Sequence, residues 1–357
     1  MMLDREQKAL MSLLRAGLWE REDAQMGILF PLSDESWEEV FRIACRQTVI
    51  GLTFKGLEWL PEDAAPPVHI AARWMAYTDR IESFNRKVGR QVKLLYDHFA
   101  ACGVKAVLQK GLGVAAMYPE PLLRESGDID LYFPECDCTC SPFEGLAGSE
   151  LTRQPDGSLL CTVGGIVVEQ HRHLLDIQAP GAKRYVKSLI GEKGYETMMV
   201  GDGTEVLVPA PEVNLLLLSS HILKHVLGVG IGLRQICDMA VAIRYYSGTV
   251  DEEEMKEIYR KAGIGRWAAL LREFIDFHLY SSGSSPVAKK SDILLDIIMK
   301  GGNFGVYSEK RSDASQSVIR RKMHTFGAFV GNMRFALKYA PGEWLWTMAR
   351  LAGGQGR

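Results

Sequence analysis

Hydrophobic spacing changes twice along these 357 residues. Before Gly103, apolar residues recur at helical spacing, as in REQKALMSLLRAGLW near the start. Residues 104–208 instead carry short alternating or β-branched runs, and helical spacing returns from Pro211. A strand block enclosed by helical blocks predicts an α+β fold, with a sheet core between helical N-terminal and C-terminal parts. We divide the chain into an N-terminal helical region (1–84), a core (85–210), a helical bundle (211–280) and a looser basic helical region (281–357).

Local signals refine these blocks. SWEEVFRIACRQTVIGLTFKGL is expected to start a helix with Ser36 as N-cap and Glu39 completing a capping box. A long helix follows the Pro66-Pro67 pair and stops at Gly103. VKAVLQK, GDIDLYF, SELTRQ, SLLCTVG and GIVVEQHRH read as strands, with a turn at Pro155-Asp156-Gly157. GLGVAAMY reads as a short helix, and YETMMVGDGTEVLV as a hairpin around Asp202-Gly203. Four further helical segments between Pro211 and Tyr280, joined by short glycine-containing links, suggest an antiparallel bundle.

Composition narrows the function classes. The net charge is −2, which provides no global basic field for nucleic acid. Residues 301–357 are locally basic, with nine Lys or Arg against three acids, and a solvated helix face accounts for that as readily as a phosphate-rich partner does. The first residues carry charges every few positions and lack a signal-type apolar run. The most apolar stretch, LLLLSSHILKHVLGVGIGL, holds two His and a Lys and reads as a buried helix and its turn. A soluble, cytoplasmic protein without a membrane partner is expected. The seven cysteines are an odd number without a secretory context, which argues against a disulfide framework. Cys136, Cys138 and Cys140 are close together, but no second pair completes a structural zinc site.

The chemistry concentrates in three segments. In GDIDLYF, Asp128 and Asp130 share a strand face opposite Ile129 and Leu131. Like charges side by side repel, and either solvent or a divalent cation can relieve that cost. In GIVVEQHRH, Glu169, His171 and His173 share a face with Val167, so Glu169 is either a third carboxylate at the same place or part of a wet sheet edge. Three carboxylates and a nucleoside triphosphate can hold two Mg²⁺ ions. In QKGLG, Lys110 and Gly111 stand at a strand-to-helix junction that can meet phosphate, although the spacing is not that of a Walker A loop. Further on, His221 and His225 lie one turn apart, as do Arg234 and Asp238. HILKH lacks the glutamate of a zinc-protease motif. Arg234 and Asp238 fit a helix salt bridge, and Arg234 or His225 facing a nucleotide cleft is the alternative.

Lys110-Gly111, the YPEP of residues 118–121, Arg124 followed by GDIDL, and Val168-Glu169 with His171 come in an order that resembles the uncharacterised nucleotidyltransferase family of the DNA polymerase beta superfamily. The resemblance spans about residues 85–245. It implies a nucleotidyltransferase-type mixed β-sheet core. It also implies transfer of a nucleoside monophosphate from an NTP, with ATP as the first choice, to an acceptor hydroxyl or amine, releasing pyrophosphate. Asp128, Asp130 and Glu169 would be the catalytic metal-binding residues, and Lys110, Gly111, Arg124 and His171 would bind nucleotide. Two departures stand out. Gly111 is followed by Leu112 rather than a second small residue, and the segment after the paired aspartates does not read as a clear helix. Two other functions fit the same sequence: a non-catalytic nucleotide- or protein-binding module, or a nucleic-acid-modifying enzyme that uses the basic C-terminal region.

Overall fold

The computed structural model describes residues 3–135, 142–143, 145–146, 151–154, 157–228, 230–281, 292–302 and 332–352. Cys136, Cys138 and Cys140 lie outside these described residues. The chain opens with helices α1 (Arg5–Trp19), α2 (Met26–Leu29), α3 (Asp34–Gln47), α4 (Ile50–Gly56) and α5 (Val68–Ala101). The sheet region follows as β1 (Val107–Gln109), α6 (Gly111–Ala115), β2 (Ile129–Tyr132), β3 (Thr152–Arg153), β4 (Leu159–Val163), β5 (Ile166–His171), α7 (Pro180–Lys193), β6 (Tyr195–Val200) and β7 (Thr204–Pro209). Helices return as α8 (Pro211–Leu227), α9 (Leu233–Tyr245), α10 (Glu252–Lys261), α11 (Gly265–Ile275), α12 (Asp292–Gly301), α13 (Met333–Tyr339) and α14 (Pro341–Ala352). The α+β class therefore holds, with a mixed sheet in the order β3-β4-β5-β2-β1-β7-β6 among the described residues. No described helix is long and apolar enough to cross a membrane.

Two local expectations need correction. The cap of α3 is Ser33, whose side chain accepts the Ser36 amide, while the Ser36 hydroxyl donates to Glu6. The spacing predicts one helical segment from Ser36 through Leu57, but Thr48 takes a left-handed conformation (φ 53°) that separates α3 from α4. Helix α7 fills a stretch between the expected strands to which the sequence reading assigns no element. It starts at Pro180, where the missing amide costs no helical hydrogen bond.

Helix α5 links the two layers and runs through the boundary drawn between residues 84 and 85. Its first half packs Trp74 against Trp37 and Phe41 of α3. Its second half packs Phe99 edge-on against Phe133 and Phe143 beside the sheet. That boundary is thus a change of packing partner within one helix. Further on, buried Gln47 joins α3 to the C-terminal helices: it donates to the Ile298 carbonyl and accepts from the Leu233 amide.

The N-terminal helices cross with backbones in close approach. A Cβ on Gly17 would lie 1.8 Å from the Leu52 carbonyl oxygen, and one on Gly56 would lie 2.0 Å from that of Leu13. Neither obstacle is a flexible side chain, so α1 and α4 would have to separate. Gly17→Ala and Gly56→Ala are each expected to lower unfolding free energy by about 2–3 kcal/mol, read from urea midpoints at constant slope. Unchanged midpoints would show that the crossing has slack.

Buried Asp23 accepts from Arg15 at 2.7 and 2.9 Å and from Ser12 at 2.7 Å. Burial pushes its carboxyl up, but these bonds outweigh burial and hold it below the usual value. The charged form therefore stabilises the fold above the unfolded pKa of about 3.9, and this contribution is lost as pH falls through the lower folded value. Urea titrations between pH 6 and 3 should show the deficit of Asp23→Asn shrinking at the acid end. A deficit independent of pH would contradict the charge account.

Candidate active site

The sheet register builds the site. β2 runs parallel to β5 and pairs Asp130 with Glu169. β1 runs antiparallel to β2 and pairs Gln109 with Asp130. Alternation sends Ile129 and Leu131 into the core with Val168 and Gln170, and leaves Glu169 and His171 on the opposite, cleft-facing side of β5. Oxygen or nitrogen atoms of Asp130, Glu169 and His171 all lie within 4.8 Å of one another, an arrangement able to hold a metal ion.

Asp130 is almost fully buried and sits in a positive setting. Its Oδ1 lies 2.6 Å from His171 Nε2 and 3.2 Å from Lys110 Nζ. Burial pushes the Asp130 carboxyl up, yet Lys110 and His171 more than offset this and hold it far below the usual range. His171 also faces Glu169, with Nδ1 3.6 Å from Oε1. It therefore bridges two acids rather than standing apart from them.

Asp128 precedes the first hydrogen-bonded residue of β2 and keeps solvent access at the cleft mouth. The cleft walls still strip part of its hydration, and the charge of Asp130 adds to this, so its carboxyl is pushed above the usual value. Asp128 and the closer trio line one cleft of about 640 Å³. Asp128 thus lies just before β2, exposed, and Asp130 within it, buried.

Lys110 adopts φ 49° and ψ −139°, and Gly111 follows with φ 41°. Glycine accepts such a conformation freely, whereas for lysine it costs about 1–3 kcal/mol. This tight turn from β1 into α6 carries the lysine whose ammonium reaches Asp130.

Arg124 lines the cleft, but its guanidinium is committed elsewhere. Its Nε and Nη2 donate to the two oxygens of Asp238 at 2.8 and 2.7 Å, and the Tyr118 hydroxyl donates to the same carboxylate at 2.7 Å. Arg234 donates to the Glu125 carbonyl at 2.7 Å. Asp238, one helical turn from Arg234, takes a bidentate bond from Arg124, 114 residues earlier. Asn85 of α5 donates to the Arg124 carbonyl at 2.8 Å, so the backbone leading to Asp128 is held from two sides.

α8 forms the facing wall. The rings of His221 and His225 meet edge to face with centroids 4.5 Å apart. Burial pushes both imidazoles down, His225 to about 3, so both are neutral near pH 7. His173 also lines the cleft, from the exposed segment after β5. Sequence reasoning does not single out Gln109 or Tyr118, although each abuts a motif: Gln109 precedes Lys110-Gly111, and Tyr118 opens YPEP. Among the described residues, the buried Gln109 amide nitrogen has no hydrogen-bond partner, beside Asp130.

A mixed sheet that gathers acids from two parallel strands beside a lysine-bearing strand-to-helix turn defines a nucleotidyltransferase-type α+β protein. Residues 33–276 match the family described as uncharacterised nucleotidyltransferase. The chain belongs to that family. The match extends beyond the 85–245 span that carries the sequence resemblance, into helices on both sides. No curated protein and no solved structure matches the chain.

Proposed function

We propose that this protein is a divalent-metal-dependent nucleotidyltransferase that moves a nucleoside monophosphate from an NTP to an acceptor hydroxyl or amine, releasing pyrophosphate. The observation that carries this reading is the parallel register of Asp130 with Glu169, which puts two acids from separate strands beside one another in a cleft. Carboxylate oxygens suit hard cations such as Mg²⁺, so the donor set fits the metal that such chemistry uses. Asp130 and Glu169 would hold the metal on the acceptor side, and Asp128, with its solvent access, would serve the side nearer the nucleotide. Bound there, two such ions would supply charge neutralisation for the attacking and leaving oxygens.

The protein's own groups would do the rest. Glu169 would help take the acceptor proton. Lys110 and the Gly111 backbone would meet phosphate. His171 would hold the Asp130 carboxylate in place through its Nε2. Arg124 enters this reading as a support for the backbone before Asp128, because its guanidinium already serves Asp238. Catalysis would rest on positioning and charge rather than on a covalent intermediate.

The test supplies α-labelled NTPs, ATP first, with Mg²⁺ and a cell extract, to wild type and to Asp128→Ala/Asp130→Ala. Label should move to an acceptor with wild type alone. Absence of both label transfer and Mg²⁺-dependent NTP binding in wild type would overturn the reading.

A further inference from the structure

Among the described residues, Lys110 and His171 both approach Oδ1 of Asp130, at 3.2 and 2.6 Å. That oxygen belongs to the trio whose ligand atoms cluster within 4.8 Å. Only 13% of the lysine side chain is exposed, and its backbone holds a φ of 49° that is costly for lysine. A cation beside a buried carboxylate occupies the charge environment that a divalent ion needs.

We propose that the Lys110 ammonium is a built-in counter-ion that competes with the divalent cation for Asp130, and that cation binding frees it to meet the nucleotide phosphates. This rests on the metal-dependent reading above and adds a coupling to it. With no cation, the lysine offsets the charge of Asp130. Once a cation takes that role, like charges repel the ammonium, and the nearest anions for it are the phosphates of the incoming nucleotide. One residue would thus link metal entry to nucleotide capture.

The test uses Mn²⁺ alone as the probe, followed by electron paramagnetic resonance of the free ion, on full-length wild type, Lys110→Met and Lys183→Met. Lys183 lines the same cleft from exposed positions on α7, so its replacement removes an equal charge at another place. Lys110→Met should bind Mn²⁺ about tenfold more tightly than wild type, the scale of one charge-assisted hydrogen bond that the ion no longer has to displace. Lys183→Met should stay within about twofold on the same scale. With saturating Mn²⁺, ATP should bind Lys110→Met more weakly than wild type.

If Lys110→Met fails to fold by circular dichroism, Lys110→Gly replaces it, since glycine accepts φ 49° without strain. Equal Mn²⁺ affinity in wild type and the Lys110 variant would overturn the competition while leaving the metal site standing. Equal tightening by the Lys183 variant would overturn it too, by reducing the effect to general charge. Absence of Mn²⁺ binding in every protein would remove the metal reading itself, and the counter-ion role with it.

Discussion

Asp130→Asn should lower nucleotidyl transfer by at least about a thousandfold while the protein stays folded. Among the described residues, this carboxylate touches both Lys110 and His171 and also pairs in register with Glu169. An amide keeps the shape but loses the charge that would hold a divalent ion. Metal-centred charge stabilisation is worth several kcal/mol, and each 1.36 kcal/mol is a factor of about ten. Glu169→Gln should fall nearly as far, because it removes the register partner. The two losses should not add, since both remove the same centre. Label transfer from α-labelled NTP measures the rate, and circular dichroism monitors folding. A folded Asp130→Asn that retains more than about a tenth of wild-type turnover would exclude this acid from the reaction centre.

The second large effect concerns stability. Asp238→Asn should lower unfolding free energy by about 3–5 kcal/mol, because it strands the Arg124 guanidinium in a buried position. The two side chains are only 5% and 6% exposed, so water cannot replace the lost partner. Burial alone pulls the Arg124 guanidinium down, but Asp238 overcomes this and raises it above its usual value. Removing both charges together, as Arg124→Met with Asp238→Leu, should recover more than half of the loss, since no unpaired charge then remains. Urea unfolding at constant slope measures both variants. A single-variant cost below about 1 kcal/mol would mean that water or another acceptor satisfies the Arg124 guanidinium. Because Arg124 steadies the chain just before Asp128, activity should fall in Asp238→Asn even where the protein remains folded.

These two predictions draw differently on the sequence. Asp130 and Glu169 stand out locally, as charges inside alternating apolar runs. Asp238 has an obvious local neighbour in Arg234, one helical turn away, and the fold gives it a bidentate bond from distant Arg124. Helical spacing brings residues near enough to interact, but a bidentate arginine from the core and a tyrosine hydroxyl offer better geometry inside a buried pocket. Ser36 shows the same limit on a smaller scale: its surroundings suit a cap, yet Ser33 takes that place while Glu6 accepts the Ser36 hydroxyl.

By itself, the sequence determined the order of helical and strand blocks and the acidic positions worth watching, because side-chain period and charge are local properties of the chain. Only the tertiary structure decided that Glu169 faces Asp130, that His171 bridges the two, that Lys110 neutralises this centre and that Arg124 is spent on Asp238. Each of these depends on strand register or on packing between residues some 20 to 114 positions apart. A one-residue slip in register would turn the acids to the other face without altering any local pattern.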